Sequence, residues 1–380
     1  MRTGIAMENR PGVEESITRR KFLAGAGALL ATPVFALQHE RAAQPEAILH
    51  LATRSGRVYS YLTSSQALTE LAETAIDQLA ALTVHPARPL LYAARDCALW
   101  RNQPRGLIET YAVSGSGLRL LAQTPMALSA IGPSALSVAA DGSQLLVSAS
   151  TGAAWNLFAL DAYGLPACAP LARKETGVLQ PDGTLLMPAP SAVVFSPIAG
   201  IAAGIDAGRK QLLLLHSTPE SLHLYDSAAL PQHTSTGSVA WAPDGQHLFA
   251  ALCDLVRAYR VVRQGSDTPR LQLVGEARLP TSVASIAPLT GLHGTLSLRS
   301  RQQEGVLEMM CLRQSGLTAE HAWGIPGKPQ ALATLNGGVW LATSRQVLYI
   351  GPTELGPRVG SAMRAPRAGV FAAAAQIRSS

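Results

Sequence analysis

Pro133-Ser134-Ala135-Leu136-Ser137-Val138-Ala139-Ala140-Asp141-Gly142-Ser143-Gln144-Leu145-Leu146-Val147-Ser148 and Gly237-Ser238-Val239-Ala240-Trp241-Ala242-Pro243-Asp244-Gly245-Gln246-His247-Leu248-Phe249-Ala250 are two versions of one phrase. Each reads as a short alternating strand, an Asp-Gly turn and a more apolar strand. Asp-Gly supplies the positive φ that a tight hairpin turn requires. A third version is Leu82-Thr83-Val84-His85-Pro86-Ala87-Arg88-Pro89-Leu90-Leu91-Tyr92-Ala93. In a fourth, Ser191-Ala192-Val193-Val194-Phe195-Ser196-Pro197, the turn has drifted to Ile198-Ala199-Gly200.

Working outward, each hairpin is followed by a further strand and a Gly turn. Leu107–Val113 precedes Ser114-Gly115-Ser116-Gly117, Ala154–Leu160 precedes Asp161-Ala162-Tyr163-Gly164, and Val256–Val262 plays the same part. Leu62–Leu82 admits a helix, but within the repeat it reads as strand, turn, strand, with Ala67–Leu71 as an outer strand. Seven units follow, starting near Ile48, Leu82, Pro133, Ser191, Gly237, Val283 and Pro329. Divided among them, the chain beyond residue 36 gives roughly 49 residues per unit, the period of a propeller blade of three or four strands. The expected fold is all-β: a seven-bladed β-propeller over residues 48–360, followed by a tail at 361–380.

The first 36 residues read as an address, and 37–47 as a linker. Arg19-Arg20-Lys21-Phe22-Leu23 opens an apolar, Gly- and Ala-rich run that passes through Pro33 to Ala36. A charged start, a moderate apolar stretch and small residues at its end make a cleavable secretory signal. The Arg19-Arg20 pair is the mark of twin-arginine export, so the twin-arginine translocase is an expected partner and the periplasm or the exterior the expected destination. The run falls short of the ~20 residues that a spanning helix needs, so an integral membrane protein is not expected.

Composition narrows the function classes. Hydrophobic residues make up 47% of the chain and charged residues 15%, which excludes disorder. The formal charge is +6, and removing the five basic and three acidic residues of 1–36 leaves +4. Lys21, Lys174, Lys210 and Lys328 are the only lysines, and no basic stripe points to nucleic acid. Cys97, Cys168, Cys253 and Cys311 are too evenly spread for a metal site or a compact disulfide framework and read as small buried hydrophobes. No CxxC, haem-attachment or phosphate-loop motif calls for a cofactor or a metal.

The order of these phrases resembles the lactonase family of seven-bladed propellers, which contains propeller-type 6-phosphogluconolactonases and a fungal carboxymuconate-lactonising enzyme. The resemblance covers nearly the whole chain beyond the signal. It rests on Leu51–Tyr61, on His85-Pro86 with Leu90–Ala93, on Gly132-Pro133-Ser134, and on Ala242–Gly245 with Leu248-Phe249. It implies opening of a cyclic ester on an anionic sugar-type lactone. A base activates water, cations hold the substrate's anion, and donors stabilise the oxyanion.

Carried over position by position, the family's polar set is largely replaced. Its His-rich phrase falls at Pro188-Ala189-Pro190-Ser191, and its Arg-His pair at Gly237-Ser238. A Glu position reads Cys253, with Asp254 one place along. An Asn-Glu position reads Arg95-Asp96, and an Arg survives as Arg301. The resemblance therefore implies Asp96 and Asp254 as catalytic acids and Arg301 and Arg95 as substrate holders. His85 reads as a turn residue, His216, His223, His233 and His247 lack partner spacing, and Cys253 has no His nearby in sequence to make it a nucleophile. With so many groups lost, the alternative is a non-catalytic propeller that binds a ligand or protein through its channel face.

Overall fold

The computed structural model describes residues 47–63, 68–232, 237–263, 268–288, 294–301, 304–335, 338–351, 358–364, 366 and 370–377. The signal segment 1–36, the linker up to 46 and His233 lie outside the described residues. The described residues form seven four-stranded antiparallel sheets and one two-stranded hairpin. The chain is a seven-bladed β-propeller.

The inner strands are Leu79–Val84, Pro133–Val138, Pro190–Phe195, Gly237–Trp241, Val283–Pro288, Pro329–Leu335 and Val370–Ile377. Each touches the next, and the last touches the first, so the ring closes. Six of these starts lie within three residues of those expected or coincide with them. The first blade differs. Its inner strand is Val370–Ile377, paired with Ala47–Thr53, so the unit read as starting at Ile48 begins on its second strand. The expectation of a tail over 361–380 is corrected accordingly. The Ala372–Ala375 run has no polar–apolar alternation to announce a strand, yet its pairing removes the edges that an open ring would leave. Leu68–Ala75 is the outer strand of the first blade, as its place in the repeat implied.

The core lies between blades. Tyr92, Phe158 and Leu145 fill the seam of blades 2 and 3, Trp155 with Leu213 that of blades 3 and 4, and Leu214 with Trp241 that of blades 4 and 5. Facing sheets bury alternate side chains of strands that present apolar residues to both neighbours, hence the near-continuous apolar second strands such as Gln144–Ala149. Small polar side chains of one inner strand bond the backbone of the next. Ser134 donates to the Pro190 carbonyl (2.8 Å), and Ser137 accepts from the Phe195 amide (2.9 Å). Gln330 accepts from the Val370 amide at the closure (2.9 Å).

At one end of the ring, the turns joining inner and second strands key into one another. His85 is buried, and its Nδ1 accepts the amides of Ala87 and Arg88 (3.1 Å each). Its ring covers Gly142 of the next blade so closely that a Cβ there would lie 2.4 Å from Cε1. Gly142 also has φ +73°, which only glycine adopts readily. His85 is a turn and packing residue, as its sequence context indicated. Cys97 and Cys311 are buried, Cys253 is half-buried and Cys168 is exposed.

Candidate functional site

Antiparallel pairing puts the start of every inner strand beside the end of its second strand. Leu79 faces Arg95, Pro190 faces Asp206, Gly237 faces Leu252 and Val283 faces Arg299. The positions singled out from sequence (Arg95-Asp96, 188–191, Gly237-Ser238, Cys253-Asp254 and Ser300-Arg301) all fall at this end, on blades 2, 4, 5 and 6. We call it the mouth. His85 and His247 sit at the opposite end.

Asp96 is exposed at the mouth of blade 2. Its carboxylate accepts from the amide of Gly132, just before the next inner strand (3.2 Å), and its own amide donates to the Gln78 carbonyl (2.8 Å). Arg95 turns from the mouth into the seam of blades 1 and 2. Its guanidinium donates to Glu109 (2.8 Å) and to the Asp77 carbonyl (2.8 Å). Glu109 also accepts from Tyr111 (2.6 Å) and Gln123 (2.9 Å). Burial works against the Glu109 carboxylate, but the hydrogen bonds from Tyr111, Arg95 and Gln123 win and hold its pKa below the usual range. The same setting pushes the Tyr111 phenol well above its usual value, through burial first and the neighbouring carboxylate second.

Asp254 occupies the turn between the second and third strands of blade 5. Its carboxylate pairs with Arg278 of the outer strand (3.4 Å). Cys253 beside it adopts φ +56°, and its carbonyl accepts the Val283 amide (2.7 Å). Arg301 ends the second strand of blade 6 opposite Glu304; its side chain lies outside the described residues. The mouth thus gathers the four predicted residues at one end, but Arg95 and Asp254 are each held in an ion pair of their own blade.

A second charged group was not foreseen. Asp206, fully buried at the mouth end of blade 4, accepts the amides of Ala189 (2.8 Å) and Arg209 (3.0 Å). Arg209 pairs with Glu175, and Glu175 with Arg173 (2.7 Å), tying the outer strand of blade 3 to blade 4. Gly208 sits beneath, where a Cβ would lie 2.0 Å from the Met187 carbonyl. A lone acid ending an otherwise apolar strand, Ile201–Asp206, was the sequence signal available; Glu109 within Leu107–Tyr111 is another. Among the described residues, no group of three or more His, Cys, Asp or Glu is disposed to hold a metal ion.

No family model and no curated protein sequence matches the chain. Solved structures do. A candidate 6-phosphogluconolactonase of Bacteroides uniformis matches with TM-score 0.68 at 15% identity, over 87% of this chain and 99% of its own. A second, from Bacteroides fragilis, matches with TM-score 0.69 at 12% identity, over 87% and 98%. The periplasmic gluconolactonase of Pseudomonas aeruginosa matches with TM-score 0.61 at 16% identity, over 86% and 96%. At these identities the shared property is the fold, a seven-bladed propeller of the kind that these proteins adopt. Among the described residues, no helix is long and apolar enough to cross a membrane.

Proposed function

We propose that the chain is an exported lactone hydrolase, working at the mouth of its propeller on a cyclic ester of sugar-acid type. The observation that carries this reading is the whole-length match to three propellers named for gluconolactone chemistry, one of them periplasmic. In the reaction, a water oxygen bonds to the ester carbonyl carbon and the ring C–O bond breaks. The water proton passes to a base, and the leaving alkoxide takes a proton to give the open hydroxy acid. Asp96, exposed at the rim, is the proposed base, and Arg301 the proposed holder of the substrate's anion. Arg95 and Asp254, engaged with Glu109 and Arg278, shape the mouth beside them. Residues 1–36 serve as a twin-arginine signal, which places the mature propeller outside the cytoplasm, and 37–46 as a linker, the first-blade strand beginning at Ala47 rather than Ile48.

The replaced polar set favours a second reading, a propeller that binds its ligand without turning it over. One experiment separates the two. Purified propeller is assayed for ring opening of glucono-δ-lactone against the spontaneous rate, alongside Asp96→Ala and Arg301→Ala. Loss of a general base costs about 10²–10⁴ in rate. Hydrolysis that both variants retain in full refutes the assignment of the site, and absence of hydrolysis with retained lactone binding leaves the binding reading.

A further inference from the structure

The outer hairpin of blade 4 departs from its repeat. Gln211–Thr218 and Ser221–Ala229 are its third and outer strands, joined by a tight turn. In their register His216 stands directly opposite His223. At the same place in the hairpins of blades 2 and 6, the partners are Ala112 with Arg119 and Cys311 with Thr318. The repeat therefore has no need of imidazole there. Two histidines are also a poor cross-strand pair for stability, because they repel whenever both are charged. Residues seven apart on one strand would point to opposite faces, so only the hairpin sets these two on the same face.

The pair is held in place and open to solvent. The His216 ring stacks on Tyr225, with centroids 4.6 Å apart and planes 12° from parallel, which fixes the plane of the imidazole. Tyr225 is the extra residue of a bulge, since Leu214 faces Asp226 and Leu215 faces Leu224. A bulge re-aims a side chain, and this one brings the phenol ring onto His216. Gly200, in the turn between the inner and second strands, presents bare backbone to the ring: a Cβ there would lie 3.7 Å from Nε2. His216 is half-buried and His223 is exposed. Burial, and after it the neighbouring His223, hold the pKa of His216 below its usual value, so the two rings lie within electrostatic reach of each other. Among the described residues, neither ring makes a hydrogen bond or an ion pair.

Opposite residues of an antiparallel pair have Cβ atoms about 4.5–5.5 Å apart. An imidazole nitrogen binds a transition-metal ion at about 2.0–2.1 Å, so two imidazoles on such a pair can converge on one ion. Among the described residues no third His, Cys, Asp or Glu joins them. Asp226, three residues along from His223, accepts the Leu271 amide of blade 5 (2.7 Å). Water is left to complete the shell. Imidazole ligands suit zinc, copper and nickel rather than magnesium or calcium.

We infer that His216 and His223 form a two-histidine chelate for a divalent transition-metal ion, clipping the third strand of blade 4 to its outer strand. Ile201, which pairs with His216, begins the second strand, so the site lies at the end of the ring away from Asp96. It stands whether or not the mouth opens lactones.

The test is calorimetric titration of the untagged protein with nickel chloride, repeated with zinc chloride. One ion binds per chain. His223→Ala leaves a single ligand. The second bond of a chelate is intramolecular, so its loss weakens binding about 10²-fold or more. His216→Ala has the same effect, whereas His247→Gln in blade 5 leaves the affinity unchanged. In thermal denaturation, nickel raises the midpoint of the wild-type protein and not that of His223→Ala. The metal-free midpoint of His223→Ala matches wild type, because that side chain is exposed, so a loss of binding there is not a loss of fold. Absence of binding at millimolar nickel and zinc overturns the inference. So does binding that both alanine variants retain in full, or a loss in His247→Gln as large as theirs.

Discussion

Replacing Glu109 by Gln removes the charge that Arg95 faces in the seam of blades 1 and 2. Glu109 is 3% exposed and accepts from Arg95, Tyr111 and Gln123. Breaking a buried, hydrogen-bonded pair from one side costs about 3–5 kcal/mol. Arg95 retains 21% side-chain exposure, so water screens part of the loss and the lower end, about 3 kcal/mol, applies. For a unit spanning Ala43–Ser380 the unfolding entropy is roughly 0.7 kcal/mol/K, so the melting temperature falls by about 4 °C. Arg95→Met loses a similar amount, and Arg95→Met with Glu109→Leu loses less than the sum, because no charge is then left stranded.

The pH dependence has a definite sign. The folded Glu109 carboxyl is held below its unfolded pKa, so its contribution is full above the usual carboxylate range and disappears as pH falls through the lower, folded value. Thermal denaturation followed by circular dichroism at pH 7 and near pH 3 reads both effects: the gap between wild type and Glu109→Gln is widest at pH 7 and narrows in acid. An unchanged midpoint at pH 7, or a gap that widens on acidification, refutes the assignment of Arg95 to the seam and returns it to the mouth as an unpaired cation.

Three other outcomes follow from the same coordinates. His50 is fully buried and its pKa is pushed down to about 3 by burial, so the folded state resists protonation. Stability should fall by about 2 kcal/mol between pH 7 and pH 5, and His50→Gln should flatten that slope in urea titrations. Gly142→Ala drives a methyl group into the His85 ring at a left-handed backbone position, and should lower stability by about 2–3 kcal/mol, with His85→Ala relieving the steric part in a double-mutant cycle. Deleting Val370–Ile377 strips the first blade of its inner strand, and should replace the single sharp thermal transition with a broad one and increase dye binding to exposed apolar surface.

The fold was legible because the same local chemistry recurs. Pro133–Ser148 and Gly237–Ala250 each place alternating apolar residues on either side of an Asp-Gly turn, and the blade starts at Pro133, Gly237, Val283 and Pro329 coincide with the expected residues. The closing strand was not legible, because Ala372–Ala375 carries no period of two; its identity as a strand comes from the edge of Ala47–Thr53 that it covers. The mouth was legible in part. Strand order predicts that Asp96, Asp254 and Arg301 share one end of the ring, since Arg301 ends a second strand and the other two follow one. The partners of Arg95 and Asp254 were not legible. Whether Arg95 points into the mouth or into the seam depends on Glu109, fourteen residues along on the neighbouring strand and on the same face only through the register of Arg95 with Leu107.

The two ends of the ring are built on different principles. At the end away from the mouth, short turns key blade to blade by repeating contacts, His85 on Gly142 and Ser196 beside Gly245, so a change there strains a seam. At the mouth, the equivalent positions diverge from blade to blade. Thr53 and Thr343 tie their own turns with hydroxyls, Asp206 does so with a buried carboxylate, and Arg95 leaves the turn for the adjoining seam. Extra chain enters at this end in blades 2 to 4, anchored by a buried charge network and faced with exposed leucines. Uniformity at one end satisfies the ring, so the mouth is free to vary without opening the blades. Loops that vary without cost to the scaffold are where proteins commonly carry function, and Asp96, the proposed base, stands at the edge of that variable region.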